Sequence, residues 1–260
     1  MVLLNKSDTT EKGLLKFFDS EGLPLTITTT TGESDTEFAY SIEPNGVLVF
    51  ETDGSPAAFN PGSAQVIPNS GSLSPAGAIL YRSIENGVVV SESGTPAAIP
   101  TARARIFVDR SAGHDTGVAI AALDDVGFKV TLRAYQSDGI TSAGSGPGEI
   151  DLAGNGHSAA FTAYMIPDLP ENFTGILDIQ APRPFAALTV RSFKNTRNEF
   201  LVTTFPIADM TAPVSSPVVF PQIADGAGIS TQFVLMNAGD ASESTISLFS
   251  NGGSPLGVLK

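Results

Sequence analysis

Phe17-Phe18-Asp19-Ser20-Glu21-Gly22 is matched by Ala134-Tyr135-Gln136-Ser137-Asp138-Gly139 and again by Leu248-Phe249-Ser250-Asn251-Gly252-Gly253. In each stretch an apolar run stops at a polar turn that ends in glycine. Glycine tolerates the positive φ of a hairpin turn, and Asn or Asp can bond its own backbone there. The three stretches therefore predict three turns of one kind. An earlier apolar run precedes each: Val2-Leu3-Leu4-Asn5, Val118-Ala119-Ile120-Ala121 and Phe233-Val234-Leu235-Met236-Asn237. The first and third copies agree past the turn as well, as Leu23-Pro24-Leu25 and Ser254-Pro255-Leu256. Pro44-Asn45-Gly46 matches Gly154-Asn155-Gly156. The run from Pro75-Ala76-Gly77 to Arg82-Ser83 matches the run from Pro184-Phe185-Ala186 to Arg191-Ser192, with Asn86 opposite Asn195. The offsets lie near 109 to 117 residues, room for one sandwich domain per period.

Working outward, short apolar or alternating runs bounded by Gly, Pro, Asn and Asp recur along the chain. Examples are Gly13–Phe18, Phe38–Ile42, Ala104–Val108, Phe128–Tyr135, Gly175–Ile179, Ala186–Arg191, Val218–Ile223 and Thr231–Met236. Their close spacing predicts an all-β sandwich and argues against βαβ units. The 18 Pro and 26 Gly break every window that could hold a long helix. The repeat divides the chain into unit one, 1–108, unit two, 109–212, and a partial unit three, 213–260. Thr211-Ala212-Pro213-Val214-Ser215-Ser216-Pro217 reads as a linker.

Unit three opens on Val218-Val219-Phe220-Pro221-Gln222-Ile223-Ala224-Asp225-Gly226, ahead of its first matched strand. Unit two has Ile106-Phe107-Val108-Asp109 in that place, and unit one has no equivalent, because Met1 sits inside its first matched strand. A sandwich short of a strand exposes a sheet edge, a template for pairing with another chain. A lone hairpin is not stable by itself. Two readings follow: a piece of a longer array, or a tail that completes the head of the next copy by β-strand addition. In the second, Val218, Val219, Phe220 and Ile223 carry the assembly, and the partners are other copies, head to tail.

Composition narrows the function classes. The 260 residues carry 14 Lys+Arg against 27 Asp+Glu, a formal charge of −13. Nucleic acid is disfavoured as a partner, since duplex binding draws on clustered Lys and Arg; an anionic membrane surface is disfavoured for the same reason. Apolar runs stay below about eight residues, too short to span a bilayer. The absence of Cys excludes a disulfide framework and a thiol nucleophile, and two His leave little for a zinc site. Met1-Val2-Leu3-Leu4-Asn5-Lys6 lacks the form of a signal peptide. A Ser-, Thr-, Gly- and Ala-rich chain with few Lys and no Trp has the profile of an exported bacterial surface protein. The expected location is extracellular or at the cell surface, for a mature or truncated piece; a cytoplasmic β-rich protein is the alternative.

Candidate chemistry is thin. Asp115-Thr116-Gly117 is the tripeptide of aspartic proteases, where two such Asp share a proton. It occurs once, and Ser230-Thr231-Gln232 stands at its place in unit three, so it reads as a turn into a strand. His114 and His157 lack a Ser or Cys partner in a Gly-x-Ser-x-Gly elbow and read as loop residues. Asp124-Asp125, Asp19/Glu21 and Asp225/Asp240 could offer oxygens to Ca²⁺, yet no Asp-x-Asp-x-Asp-Gly loop occurs and turn bonding accounts for them. No cofactor is expected. The chain has no Trp, four Tyr and 16 Phe, and its Phe fall mostly in strand patterns, which weakens a sugar-binding platform. Lys16 and Lys129 are candidates for isopeptide crosslinks, and Asn5-Lys6-Ser7 and Asn172-Phe173-Thr174 fit the glycosylation pattern.

The run from Phe220-Pro221-Gln222-Ile223 to Thr231, then Phe233-Val234-Leu235-Met236-Asn237, resembles modules of large uncharacterised bacterial secreted and surface proteins. Arg191-Ser192-Phe193 and Thr203-Thr204-Phe205-Pro206 fit the same resemblance. It implies immunoglobulin-like sandwiches strung in tandem, and it brings no catalytic residue with it. The expectation is a structural module of an extracellular fibre, stalk or adhesin and no enzyme. A binding module for carbohydrate or a protein ligand is the alternative, with an enzyme accessory domain third.

Overall fold

The computed structural model describes residues 1–85, 87–212, 217–237 and 243–259. Asn86 and Asp240 therefore lie outside the described residues, as do residues 213–216 of the expected linker. The chain is nearly all β and divides into two compact units, Met1–Ala212 and Pro213–Lys260. No helix among the described residues is long and apolar enough to cross a membrane.

The first half of Met1–Ala212 contains β1 (Val2–Leu4), β2 (Glu11–Phe18), β3 (Ile27–Thr28), β4 (Ser34–Asp35), β5 (Glu37–Ile42), β6 (Val47–Val49), β7 (Ser63–Pro68), β8 (Ala76–Glu85) and β9 (Val88–Pro96). The second contains β10 (Thr101–Asp109), β11 (His114–Ala122), β12 (Phe128–Gln136), β13 (Ser142–Leu152), β14 (His157–Phe161), α1 (Thr162–Met165), β15 (Thr174–Lys194), β16 (Phe200–Phe205) and β17 (Ala208–Asp209).

One pairing scheme occurs twice. In the first half the sheets run β6-β1-β8-β9 and β5-β2-β7. In the second, β11 lies between β14 and β15, β15 also pairs β16, and the other path runs β13-β12-β15-β10-β17. Registers agree residue for residue: Leu4 opposes Val47 as Ala121 opposes His157, and Lys16 opposes Gln65 as Arg133 opposes Asp178. Alternation along these strands sends Leu3 and Leu15, and likewise Ile120 and Leu132, into their respective cores.

The repeated turns share their backbone. Gly22, Gly139 and Gly253 have φ of 79°, 71° and 79°. Their N–H groups donate to the carbonyls of Asp19 (3.1 Å), Gln136 (2.9 Å) and Ser250 (2.9 Å). Phe18 bridges Pro24 as Phe249 bridges Pro255. Asn45 and Asn155 are left-handed, at φ 57° and 56°, and Asn5 and Ala122 donate to the carbonyls of Gly46 and Gly156 at 3.0 and 2.9 Å.

Three expectations need correction. The sequence match sets Ala76 beside Phe185, but Ala76 opposes Leu4 as Ala186 opposes Ala121, one residue further along. A one-residue slip exchanges the faces of a strand, so Arg82 and Arg191 are not equivalents. Arg82 makes exposed pairs to Glu51 and Glu92, while Arg191 pairs with buried Asp109. Second, the runs at 175–179 and 186–191 are one continuous strand, β15. Pro182 and Pro184 sit where it leaves one sheet for the other, so their missing N–H groups interrupt neither ladder. Third, Val218–Ile223 and Thr231–Met236 join no ladder among the described residues. A strand needs a partner; in Pro213–Lys260 the ladder is the hairpin of β18 (Ile246–Phe249) and β19 (Pro255–Leu259), which pair with each other.

The halves of Met1–Ala212 are held together directly. Val202 N–H donates to Ser91 Oγ at 3.2 Å, Thr204 Oγ1 to the Gly94 carbonyl at 2.5 Å, and His157 N–H to the Ser20 carbonyl at 3.2 Å. Strand β10 begins at Thr101, before the 108/109 division, and lies wholly in the second-half sheet.

Candidate functional site

The two halves differ at one sheet edge. In the second half, β10 lies beside β15: Ala104 opposes Ile179 and Ile106 opposes Leu177, and all four side chains are fully buried. Strand β17 closes the far side of β10, with Ala208 opposite Arg105 and Asp209 opposite Ala104.

In the first half, β7 corresponds to that part of β15 and, among the described residues, ends its sheet. Phe17 gives its N–H to Thr36 and accepts Leu25 N–H on its carbonyl. Ladder bonds alternate along an antiparallel pair. Those between β2 and β7 therefore fall at Lys16–Gln65 and Phe18–Ser63, and the N–H and C=O groups of Ala64 and Val66 point to the free edge. Ala64 and Val66 are only half-buried, where Leu177 and Ile179 are fully buried.

The segment that closes the far side of β10 also has a sequence counterpart in the first half. Pro96-Ala97-Ala98-Ile99-Pro100-Thr101-Ala102 parallels Pro206-Ile207-Ala208-Asp209-Met210-Thr211-Ala212. Ala98 and Ile99 thus stand where Ala208 and Asp209 form β17, but no strand among the described residues pairs with them, and Ile99 is 80% exposed. The sequence reading missed this match because its apolar positions are few and its shared residues are small.

Charge differs as well. Asp178, 5% exposed, accepts from Arg103 at 2.9 Å and Arg105 at 2.8 Å, and Arg105 lies over the Tyr135 ring. The first-half equivalent of Asp178 is the uncharged Gln65, whose amide reaches Asn155 Oδ1 at 3.4 Å. On the same face of β7, the buried Ser63 Oγ has no hydrogen-bond partner among the described residues.

The residues expected to carry assembly lie in Pro213–Lys260. Val218 and Val219 are exposed at 62% and 76%, Phe220 meets Phe233 edge to face with ring centroids 5.3 Å apart, and Ile223 is half-buried. Thr231 Oγ1 accepts Ala224 N–H at 3.0 Å and donates to the Ala224 carbonyl at 2.7 Å. Thr116 does the same to Asp109, at 2.9 and 3.3 Å. This bond pair fixes the correspondence: Ala224 stands for Asp109, so Val219, Pro221 and Ile223 stand for Ala104, Ile106 and Val108.

The remaining candidates are dispersed. Asp115 is half-buried, its carboxyl pushed up by burial against the pull of the Thr116 N–H and Arg110. His114 stacks on Phe193 and its Nδ1 meets the Ser111 carbonyl at 2.9 Å. His157, half-buried beside Ser20, Glu21 and Asp151, is held below the usual imidazole range by burial, and among the described residues its Nδ1 has no partner. Asp19 accepts the N–H groups of Glu21 and Leu23, and Asp124 accepts that of Val126 and pairs with Arg183. Among the described residues no three acidic or imidazole groups converge. Lys16 faces Glu37 at 3.1 Å and Lys129 faces Glu149 at 2.6 Å, both half-exposed pairs across neighbouring strands. Asn5 is 1% exposed and its amide donates to the carbonyls of Thr9 and Ile42, so it is no glycan acceptor; Asn172 is exposed. Phe59 and Tyr164 stand open to solvent at 92% and 84%. Comparison with protein-family models, with curated proteins and with solved structures returns no match.

Proposed function

We propose that this chain is a structural module of an extracellular fibre, stalk or adhesin. In this reading its repeats are immunoglobulin-like sandwiches in tandem, joined head to tail by β-strand complementation. The observation that carries it is the open edge of β7 among the described residues, together with an apolar segment in the other unit, 217–226, that matches the strand lying at the equivalent edge in the second half. Full burial of a Val or Ile side chain contributes about 1.5 to 3 kcal/mol, so two or three of them offset the ordering of a short strand. Composition supports the export: few Lys, no Cys, and many Ser and Thr.

Sedimentation velocity and negative-stain electron microscopy of the full chain test this. The expected result is concentration-dependent linear oligomers. A monomer at all concentrations overturns it. A binding module for carbohydrate or protein is the second reading, favoured by exposed Phe59 and Tyr164; a monomer that binds a glycan or protein ligand through these rings would replace the first.

A further inference from the structure

We infer that the slot beside β7 takes residues 218–223 of a second copy in one defined register, antiparallel to β7. The inference rests on the assembly reading above and specifies its contact. The register is copied from β10 on β15. Ile106 opposes Leu177, Ala104 opposes Ile179 and Phe107 opposes Ile176. Carried over through Ala224–Thr231 and Asp109–Thr116 on one side, and Gln65 and Asp178 on the other, Pro221 meets Ala64, Val219 meets Val66 and Gln222 meets Ser63.

Two independent features select this occupant. The first is charge. A strand bearing Arg103 and Arg105 needs the buried Asp178 opposite it. The slot offers Gln65 there, and the incoming segment offers Val218 and Phe220 at the two arginine positions. Both sides are neutral together, so no cation is stranded against an uncharged wall. A β10-like strand would leave two guanidinium groups unpaired, so the slot discriminates between strands of one chain. The second is the orphan Ser63 hydroxyl, which the carboxamide of Gln222 would meet from the adjoining strand. Pro221 brings no N–H to the Ala64 carbonyl it faces in this register, so the contact forgoes that one ladder bond and rests on the neighbouring positions.

The chain contains no Cys, so disulfide trapping reads the register cleanly. One preparation carries Ser63→Cys and the other Gln222→Cys, and the two are mixed under mild oxidation. Controls pair Ser63→Cys with Pro221→Cys and with Ile223→Cys, each slipped by one residue. Side chains of directly opposed residues lie within disulfide reach, and slipped ones point to opposite faces. The expected result is a mixed disulfide dimer from 63 and 222 at about ten times the rate of either control. Equal rates for all three overturn the register. Oligomers without any trapped dimer overturn the slot while leaving head-to-tail assembly standing. A monomer throughout overturns both. Adding Gln65→Glu, which places a lone charge opposite the neutral strand, should weaken assembly at least about tenfold, and Gln65→Asn should not; equal effects overturn the charge argument.

Discussion

Thr116 holds Asp109 at both ends of one residue, accepting its N–H and donating to its carbonyl through a single hydroxyl. The bond pair pins β10 to the start of β11. Thr231 repeats it on Ala224 in a segment that forms no sheet among the described residues. The local motif is therefore written in eight residues and does not depend on the surrounding ladder.

Thr116 is 2% exposed. Replacing it by Val should leave the buried N–H of Asp109 unpaired and cost about 1 to 3 kcal/mol in urea unfolding. The exposed Thr231→Val should stay within about 0.5 kcal/mol. Equal effects would deny the first bond pair its structural weight.

Gly22 and Gly253 share a left-handed φ of 79°, yet their surroundings differ. A Cβ on Gly22 would lie 1.9 Å from the Gly154 carbonyl, and one on Gly253 would meet nothing within 4 Å among the described residues. Gly253→Ala should cost about 1 to 2 kcal/mol of hairpin stability from backbone strain. Gly22→Ala should add about 1 to 3 kcal/mol of overpacking and loosen the Ser20–His157 contact. Amide exchange at His157 reads that loosening directly.

His157 is less basic in the fold than the usual 6.5, because burial disfavours the imidazolium. The unfolded chain then binds more protons below about pH 6.5, so stability falls as the pH drops from there toward the folded value. His157→Gln should remove that share of the slope. Urea midpoints at pH 7.5 and 5.5 check it: the parent should lose more than the variant.

Asp178→Ala should strand Arg105, whose side chain is 17% exposed, while Arg103, at 43%, turns to water. The cost should be about 2 to 3 kcal/mol, below that of a fully buried pair. Gln65→Ala, its counterpart, should stay within about 0.5 kcal/mol of the parent.

Legibility in the sequence followed chemistry. The turns at Gly22, Gly139 and Gly253 were readable because positive φ restricts residue choice, and Asn45 and Asn155 for the same reason. The register at Ala76 was misplaced by one because Arg82 and Arg191 coincide by type and not by place. The match of Ala98 and Ile99 to β17 left no signal, since two residues have no period to detect. The single course of β15 was hidden by its prolines, which ordinarily punctuate a strand.

That course has a mechanical meaning. β15 carries ladders to β12 and β10 at one end and to β11 and β16 at the other, in one unbroken backbone. Tension applied across the second half should load the ladders at both ends of β15 together, because its backbone carries no loop between them. In the first half the same two positions are β7 and β8, separated by residues 69–75, so that loop can lengthen before the second layer is loaded. Stretched end to end in an optical trap, the first half should give way at lower force, and the second should serve as the tether that survives it.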